Sequence, residues 1–340
     1  MKRRRCSLAN HASGWWIGSD GSGGLTTHFR DDIASSQMGE GALTIAVHYS
    51  ALNYKDALAL TGSPGVVRKP PLIPGIDIAG VVEESSDGEV PVGTHVVITG
   101  YGYGENRHGG LATRVVAEPQ HVIPLPEGLS LKHAATIGTA GITAGLALSA
   151  LQNHGVTPGS SSLPIAVTGA AGGVGSLALA LLTGAGYPTV AITGRTDEAD
   201  YLSMLGATDV MSRQEFLSQP SRPLQSEQFA GAIDQAGGEM LARIIASTTS
   251  NGIVAACGLA GGSDLPTTVL PFILRGVSLV GINSVFQPLE VRLDLWNRLA
   301  TANLPLDQIA QVISLDEALE TAPRVLAGLT RGRVVVKVLD

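Results

Sequence analysis

The sequence predicts an α/β protein in which a β-rich first half is followed by a doubly wound parallel sheet. Residues 165–175 form a β-branched run that ends in a glycine-rich turn, and from there short apolar runs alternate with helical patterns. Earlier, residues 43–50 alternate apolar and polar side chains, and short runs between glycines and prolines follow. That second pattern is typical of a barrel or sandwich of short strands.

The parallel sheet is predicted to contain six strands, near residues 165–169, 189–193, 208–211, 230–234, 252–257 and 278–282. A helix is expected over residues 131–151 and a linker over 155–164. After residue 286 the patterns predict helices over 289–302 and 316–329 and strands over 311–315 and 333–338. We therefore divide the chain into four parts. Residues 1–42 are an atypical N-terminal segment, and residues 43–137 form the β-rich domain. Residues 138–285 form the nucleotide-binding domain, and residues 286–340 are a C-terminal segment that returns to the β-rich domain.

The glycine-rich turn has the context that a dinucleotide phosphate loop requires. Gly169 would let the chain turn at the strand end, and Gly172 would let backbone approach a pyrophosphate. An apolar helix pattern follows at residues 176–185, and the free N–H groups and partial positive charge of its N-terminus suit an anion, so Gly173 and Val174 are expected cofactor-binding positions. The alternative is an ordinary glycine-rich turn.

The end of the next strand indicates which nicotinamide cofactor binds. An NAD site would place Asp or Glu about 20 residues after the glycines. Here the strand ends in Thr193, Gly194 and Arg195, and a hydroxyl with a guanidinium suits a 2′-phosphate, whereas a carboxylate would repel it. Asp197 and Glu198 come later and suit the first turn of the next helix. We predict NADPH; the alternative is that Arg195 is a solvated surface charge.

Composition and charge exclude several other classes of protein. The net charge of −7 gives no basic field for nucleic acid, and 44% hydrophobic residues are enough for a large core. The two cysteines cannot form a disulfide framework, which favours a reducing compartment. The basic start at residues 1–5 lacks the apolar stretch of a signal peptide, and we expect no run of membrane-spanning length. These observations predict a cytoplasmic protein with an atypical N-terminus.

Several strings together resemble the medium-chain dehydrogenase/reductase superfamily. They lie at residues 50–56 (SALNYKD), 74–80 (PGIDIAG), 109–112 (GGLA), 138–141 (GTAG), 257–262 (CGLAGG) and 265–275 (LPTTVLPFILR). The branch they resemble is that of the zinc-independent acrylyl-CoA reductases and quinone oxidoreductase-like proteins. The resemblance implies a GroES-like catalytic domain and a Rossmann domain, and it covers residue 43 to the end. It departs at residues 1–42 and at Gly169, where related reductases often carry Ala.

The resemblance also implies the chemistry and the catalytic residues. Hydride would add to the β-carbon of an enoyl thioester, and the resulting oxyanion and the α-carbon would need a hydrogen-bond donor and a proton. The matching residues are Tyr54, Asp56, Asp77 and Arg333. The structural alternatives are a helix cap for Asp56, a core tyrosine for Tyr54, and a salt bridge from Arg333 to Asp56 or Asp77.

Further candidates surround the cofactor. The loop at Gly258–Gly262 would hold backbone close to the nicotinamide ribose, although a plain turn is the alternative. Including this loop, the other expected cofactor-binding positions are Asn53, Thr143, Cys257, Gly258, Leu259, Asn283 and Ser284. Arg68 and Lys69 could touch the phosphates of coenzyme A, but solvated loop charges are the favoured interpretation.

The expected function is NADPH-dependent reduction of acrylyl-CoA or a similar short enoyl-CoA. A quinone or enone reductase is the alternative, and a non-catalytic NADPH-binding protein like the lens crystallins of the superfamily is a third. The apolar run Val277–Ile282 would be the exposed edge of the sheet, which predicts a homodimer formed by pairing of that edge.

We predict that the activity needs no metal. Zinc relatives would carry Cys near residues 53–56 and Gly-His-Glu near 75–77, where this chain has Asn-Tyr-Lys-Asp and Gly-Ile-Asp, and His108, His121 and His133 are scattered. Activity should survive exhaustive dialysis against EDTA, and elemental analysis should find less than about half an equivalent of zinc. A stoichiometric zinc whose removal abolishes turnover would contradict this prediction.

Overall fold

The structure, a computed structural model, describes residues 11–220 and 222–340. The chain forms two compact units. Unit 1 takes the chain up to Thr139 together with Ala310–Asp340, and unit 2 is Ala140–Ile309.

Unit 1 is mainly β-structure. Its strands are β1 His11–Ser19, β2 Leu25–Ala34, β3 Leu43–Ala51, β4 Asp77–Ser85, β5 His95–Thr99, β6 Arg114–Ala117, β7 Ile123–Pro124, β14 Ala310–Ser314 and β15 Arg333–Lys337. Seven of them form one sheet in the order β14-β15-β3-β4-β5-β7, with β6 on β3, while β1 and β2 form a hairpin. Helices α1 Tyr54–Leu60 and α10 Ala318–Leu326 belong to this unit, and α2 Leu131–Asn153 starts in it.

The alternation predicted for residues 43–50 is confirmed, and its apolar side forms the core of this sheet. Leu43, Ile45 and Val47 are buried against Ile78 and Val96. Burying side chains of this size contributes roughly 1.5–3 kcal/mol each.

Unit 2 is the predicted parallel sheet. Its strands are β8 Ile165–Thr168, β9 Thr189–Thr193, β10 Asp209–Ser212, β11 Phe229–Asp234, β12 Thr248–Ala256 and β13 Ser278–Gly281. They lie in the order β10-β9-β8-β11-β12-β13, all parallel. This is the doubly wound strand order. The order of the strands reverses between β8 and β11, and a crevice forms there at the carboxyl ends of the strands. The helices are α3 Gly173–Gly184, α4 Ala199–Met204, α5 Arg213–Ser218, α6 Gly238–Ser247, α7 Leu270–Arg275, α8 Leu289–Thr301 and α9 Leu306–Ile309.

The start of the chain differs from the sequence-based expectation of an atypical segment. Residues 1–10 lie outside the described residues, but β1 and β2 form an antiparallel hairpin with one register shift, between Ala12 and Gly14. Ile17 exchanges two backbone hydrogen bonds with Leu72, and Trp15 donates its Nε1–H to the Leu315 carbonyl at 2.7 Å. The strand was missed because Gly, Ser and Asp surround its three consecutive buried apolar residues, so period-2 alternation is absent.

The boundary of the nucleotide-binding part also differs. We expected residues 286–340 to return together, but α8 and α9 belong to unit 2, and only Ala310–Asp340 joins unit 1. The reason is local packing: Leu295 of α8 lies directly against Gly145 of α2, where an added Cβ would be 3.0 Å from its Cδ2. Sequence periodicity predicts such a helix but not its partner.

The expectation about membrane-spanning length needs correction as well. Among the described residues one helix, Leu131–Asn153, is long and apolar enough to cross a membrane by length and composition. However, 78% of its most apolar window is buried inside the protein, and its backbone is non-helical at Gly138. It is therefore best explained as a core helix.

Candidate functional site

The first group of candidate residues lies at the start of α1. Asn53 is the N-cap, and Asp56 completes a capping box. Asp56 Oδ2 accepts hydrogen bonds from the backbone N–H (2.9 Å) and Nδ2 (3.0 Å) of Asn53. Asp56 Oδ1 accepts from the backbone N–H of Ile76 at 2.9 Å. The carboxyl group thus ties the start of α1 to the loop that enters β4.

Burial controls the protonation of Asp56. The side chain is 1% exposed, so burial raises its pKa to about 6, although the hydrogen bonds from Asn53 and Ile76 oppose the shift. Asp77, another carboxyl group nearby, adds to the increase. Asp56 therefore has a structural role, and its carboxyl group is protonated at a higher pH than that of an ordinary aspartate.

Tyr54, two residues earlier on the first turn of α1, has the opposite environment. It is 43% exposed, and its hydroxyl makes no hydrogen bond within the described residues. The core-tyrosine alternative is therefore wrong. A free phenol on a helix whose start is fixed by Asp56 is available to an incoming molecule.

Asp77 and Arg333 form a buried ion pair. Arg333 Nη2 lies 2.7 Å from Asp77 Oδ2, and the two side chains are 3% and 1% exposed. Arg333 also donates from Nε to the Thr136 carbonyl at 3.0 Å and from Nη1 to Asn53 Oδ1 at 2.6 Å. The salt-bridge alternative holds for Arg333, with Asp77 and not Asp56 as its partner. Removing one partner of a buried pair typically costs about 3–5 kcal/mol.

The break in α2 at Gly138 completes this pair. Gly138 has φ 44°, and an added Cβ would collide with Asp77 Oδ2 and Arg333 Nη2. The break turns Thr139 so that its N–H (2.7 Å) and hydroxyl (2.6 Å) both donate to Asp77 Oδ1. Both oxygens of Asp77 are thus fully engaged, and Gly138 and Thr139 are contributors that sequence reasoning missed.

Of the four predicted catalytic residues, only Tyr54 keeps an uncommitted polar group. Asp56, Asp77 and Arg333 are buried and hydrogen-bonded to the protein. Asn53, predicted to bind cofactor, connects all three through its side chain and backbone. These four residues position the start of α1, and the geometry favours Tyr54 as the group that meets a substrate.

The second group lies at the carboxyl ends of the strands of unit 2. Gly169 follows β8 with φ 56°, and its carbonyl accepts from the Gly172 N–H at 2.9 Å. A Cβ on Gly175 would be 2.5 Å from the Gly169 carbonyl oxygen, so the turn and helix pack without space for a side chain. The first helical hydrogen bond runs from Ser176 N to Gly172 O, which leaves the amides of Gly173 and Val174 for an anion. The turn fits a pyrophosphate.

Arg195 lies beside this turn. Its backbone N–H donates to Thr193 Oγ1 at 3.0 Å, and its Nη2 donates to the Ala171 carbonyl at 3.0 Å. Its Nη1 lies 3.7 Å from Glu198 Oε1, so part of its charge is shared with a carboxylate of the following turn. Arg195 is therefore not simply a solvated surface charge.

A buried acid that sequence reasoning missed holds the neighbouring loops. Asp234, at the end of β11, is fully buried and accepts from Thr168 Oγ1 (2.7 Å) and the Gly237 N–H (2.8 Å). Burial raises its pKa. Its carbonyl accepts from the Cys257 N–H at 2.8 Å, which joins the ends of β8, β11 and β12. The sequence signal that could have identified Asp234 is an acidic residue at the end of a strand, at the point where the order of the strands reverses.

The environment of Cys257 disfavours the thiolate form. Burial and the nearby Asp234 raise the pKa of its thiol to about 12, and its Sγ donates to the Asp234 carbonyl at 3.3 Å. The following Gly258 packs against Gln235, where a Cβ would be 2.5 Å from the carbonyl oxygen. Leu259 is 62% exposed at the tip of this loop. The loop thus presents backbone and one apolar side chain.

The remaining candidates meet at the end of β13. Thr143 of α2 donates its hydroxyl to Ser284 Oγ at 2.9 Å, and Asn283 accepts from the Val285 N–H. The fully buried Arg292 of α8 holds this loop through the Ser284 carbonyl at 2.7 Å. In unit 1, Arg68 and Lys69 are exposed loop residues.

Comparisons with known proteins match this architecture. The profile of the alcohol dehydrogenase GroES-like domain matches residues 39–127, and that of the zinc-binding dehydrogenases matches residues 173–299. The fold and the two matches define an oxidoreductase of the medium-chain dehydrogenase/reductase family, to which the chain belongs.

Individual relatives identify the branch of the family. Acrylyl-CoA reductase AcuI of Ruegeria pomeroyi is 46% identical over 95% of this chain and 98% of its own. The putative quinone oxidoreductase YhfP of Bacillus subtilis is 41% identical over 90% of this chain and 93% of its own. The crystal structure of YhdH from Escherichia coli K-12 with bound NADPH superposes with a TM-score of 0.91 at 45% identity, covering 96% of this chain and all of that one. The chain belongs to the branch of acrylyl-CoA reductases and quinone oxidoreductase-like proteins.

The zinc implied by the second profile does not fit the residues present. Among the described residues, no group of three His, Cys, Asp or Glu side chains is close enough to hold a metal ion. Asp56 and Asp77 are taken up by hydrogen bonds, and His108 Nδ1 accepts from the Ile73 N–H at 3.0 Å.

We expect the carboxyl group of Asp56 to make the free energy of unfolding depend on pH below about pH 6. Its pKa is about 6 in the folded protein against an ordinary value of 3.8, so between these values the folded state binds more protons than the unfolded state. The free energy of unfolding should therefore decrease as pH rises from about 4 to 6. Urea unfolding at steps of pH should show a flatter dependence in Asp56→Asn and an unchanged one in Asp31→Asn, an exposed aspartate of unit 1. Parallel curves for wild type and Asp56→Asn would contradict the prediction.

Proposed function

We propose that the protein is an NADPH-dependent reductase of the C=C bond of acrylyl-CoA or a similar short enoyl-CoA. The observation that supports it most is the 46% identity to an acrylyl-CoA reductase over nearly the full length of both chains. The phosphate-binding turn at Gly169–Gly175 with Arg195 beside it supports NADPH as the cofactor. A relative with bound NADPH, 45% identical to this chain, has the same fold at a TM-score of 0.91.

When bound, NADPH supplies a hydride, which the β-carbon of the enoyl thioester accepts. The protein's part is to hold the cofactor phosphates at the amides of Gly173 and Val174 and to stabilise the charge that develops on the thioester oxygen. Tyr54 is the proposed donor, either to that oxygen or of the proton to the α-carbon. Asn53, Asp56, Asp77 and Arg333 hold the backbone from which Tyr54 projects. This assignment gives the buried groups a positioning role.

A quinone or enone reductase is the second candidate, because the 41% identical relative from Bacillus subtilis is named a putative quinone oxidoreductase. Both reactions deliver a hydride to an activated, electron-poor double bond and need a donor for the resulting oxyanion. The residues described here serve either one, so the substrate must be tested directly.

The test is NADPH oxidation by the purified protein with acrylyl-CoA, crotonyl-CoA and a small quinone, measured side by side. We expect the highest kcat/KM for acrylyl-CoA, with propionyl-CoA as the product by mass spectrometry. A kcat/KM at least tenfold higher for the quinone would establish the second candidate instead. Absence of turnover with all three would overturn the proposal.

Tyr54→Phe removes only the hydroxyl and keeps the ring. Losing a transition-state hydrogen bond typically lowers kcat about 10²–10³-fold, so we expect a loss of this size with an NADPH Kd within about threefold of wild type. Tyr49→Phe, a half-buried tyrosine of β3, is the matched control and should keep its activity. If Tyr54→Phe retains full kcat, Tyr54 has no catalytic role.

We further propose a homodimer formed through β13, the edge strand of the parallel sheet. Val280 on β13 and Ile273 and Leu274 on α7 are 36%, 70% and 62% exposed, an apolar surface at an unpaired strand edge. Such edges are normally covered, and a twofold axis would pair two copies. The few cysteines and the NADPH dependence support a cytoplasmic location.

Ile273→Lys should shift the protein from dimer to monomer at micromolar concentration in sedimentation equilibrium, because it places a charge in the proposed interface. Leu329→Lys, at a comparably exposed leucine in unit 1, is the control and should leave the mass of wild type unchanged. A wild-type monomer of 34.9 kDa would contradict the proposal.

A further inference from the structure

Two loops of unit 1 meet beside the start of α1. The backbone N–H of Arg68, in the loop before β4, donates to the carbonyl of Glu105 at 3.1 Å. The side chain of Glu105, in the loop after β5, lies 2.8 Å from Nζ of Lys55, the second residue of α1. Glu105 therefore joins both loops to the helix turn that carries Tyr54.

Close packing also holds the loop after β5 against the loop before β4. The N–H of Gly104 donates to the Arg107 carbonyl at 2.8 Å, which closes the turn that carries Arg107. A Cβ added to Gly104 would be 2.9 Å from the backbone N and C atoms of Gly75. The next residue, Ile76, is bonded through its N–H to Asp56 in the first turn of α1. The turn of Arg107 is thus anchored to the same segment that fixes the start of this helix.

The two loops carry cations that have no protein partner. Arg68, Lys69 and Arg107 are exposed, and their side chains make no hydrogen bond or ion pair within the described part of the chain. Glu105, the acid at the junction of the loops, is already paired with Lys55. Three positive charges thus stay unneutralised on adjacent loops of a chain whose net charge is −7. These charges repel one another, and a bound anion with several negative charges would remove that repulsion.

We propose that Arg68, Lys69 and Arg107 form the site that binds the phosphate groups in the coenzyme A part of the substrate. This inference rests on the proposed reduction of an acyl-CoA and names the residues that recognise its anionic end. Coenzyme A carries a diphosphate bridge and a 3′-phosphate, which guanidinium and ammonium groups bind through charge-assisted hydrogen bonds. The pantetheine arm separates these phosphates from the thioester, so they suit a site on the loops beside Tyr54 and not at Tyr54 itself.

The tertiary contacts change the interpretation that the sequence favoured for Arg68 and Lys69. In the sequence they are two solvated loop charges, because no third cation is close to them in the chain. The hydrogen bond from Arg68 to Glu105 brings the turn of Arg107 beside them. A quinone has no phosphate and would leave all three side chains unused, so the cluster favours a thioester of coenzyme A over a quinone.

The first test compares acrylyl-CoA with acrylyl-pantetheine, which has the same thioester but no phosphate. We expect Arg68→Ala and Arg107→Ala each to raise the KM of acrylyl-CoA about three- to tenfold, the range for losing one exposed phosphate contact. The KM of acrylyl-pantetheine should not rise with it, because that substrate does not reach the cluster. Arg68→Lys keeps the charge and should keep part of the affinity for acrylyl-CoA.

The second test measures the Kd of free coenzyme A by calorimetry, so that no turnover is needed. The affinity of wild type should fall as potassium chloride is raised, and it should fall less steeply in the variant that combines Arg68→Ala with Arg107→Ala. Arg324→Ala is the control for both tests. It changes an exposed arginine of α10 that lines a separate cavity with Gln311, and it should match wild type.

The inference is wrong if wild type reduces acrylyl-CoA and the two Ala variants keep its KM, or raise the KM of both thioesters equally. A wild type that reduces neither thioester overturns the proposed function instead. Calorimetry then still decides the phosphate site. Binding of coenzyme A to wild type that weakens in the variants supports the site, and absence of binding to wild type overturns it.

Discussion

The buried ion pair between Asp77 and Arg333 is the interaction on which unit 1 depends. Its two residues come from β4 and β15, and its other partners are Asn53, Thr136 and Thr139. Charges removed from water are tolerated only when every oxygen and N–H has a partner, so each of these segments must be in place for the others to be stable. The break of α2 at Gly138 is a consequence, since a continued helix would remove the Thr139 donors.

Unit 2 uses a buried acid in a comparable way but without a cation. Asp234 is satisfied by a hydroxyl and a backbone amide, and it holds the loops that follow β8, β11 and β12. The strand end that leads into the phosphate-binding turn is thereby held by the hydrogen bond from Thr168 to Asp234. The amides of the turn stay free for the cofactor, because the protein does not need them for its own structure.

In both units the fold leaves some polar side chains without a protein partner among the described residues. Asp56, Asp77 and Arg333 are engaged on all sides, whereas the Tyr54 hydroxyl is exposed. Arg195 is partly engaged, whereas the guanidinium of Arg213, the first residue of α5, makes no hydrogen bond or ion pair within the described part of the chain. This division explains why polar residues of one short motif have different roles. Those with buried side chains set the geometry, and we propose that those with exposed side chains bind ligands or take part in the chemistry.

The sequence by itself determined the parallel sheet, its glycine turn and the composition of the β-rich unit, because these follow from local periodicity and from residues close together in the chain. It also indicated that Tyr54, Asp56, Asp77 and Arg333 belong together. Only the tertiary structure decided which of them are buried, since burial depends on contacts between residues up to 280 positions apart. The hairpin at His11–Ala34, the place of α8 and the contact of Arg68 with Glu105 likewise depend on packing and strand register, which no local pattern encodes.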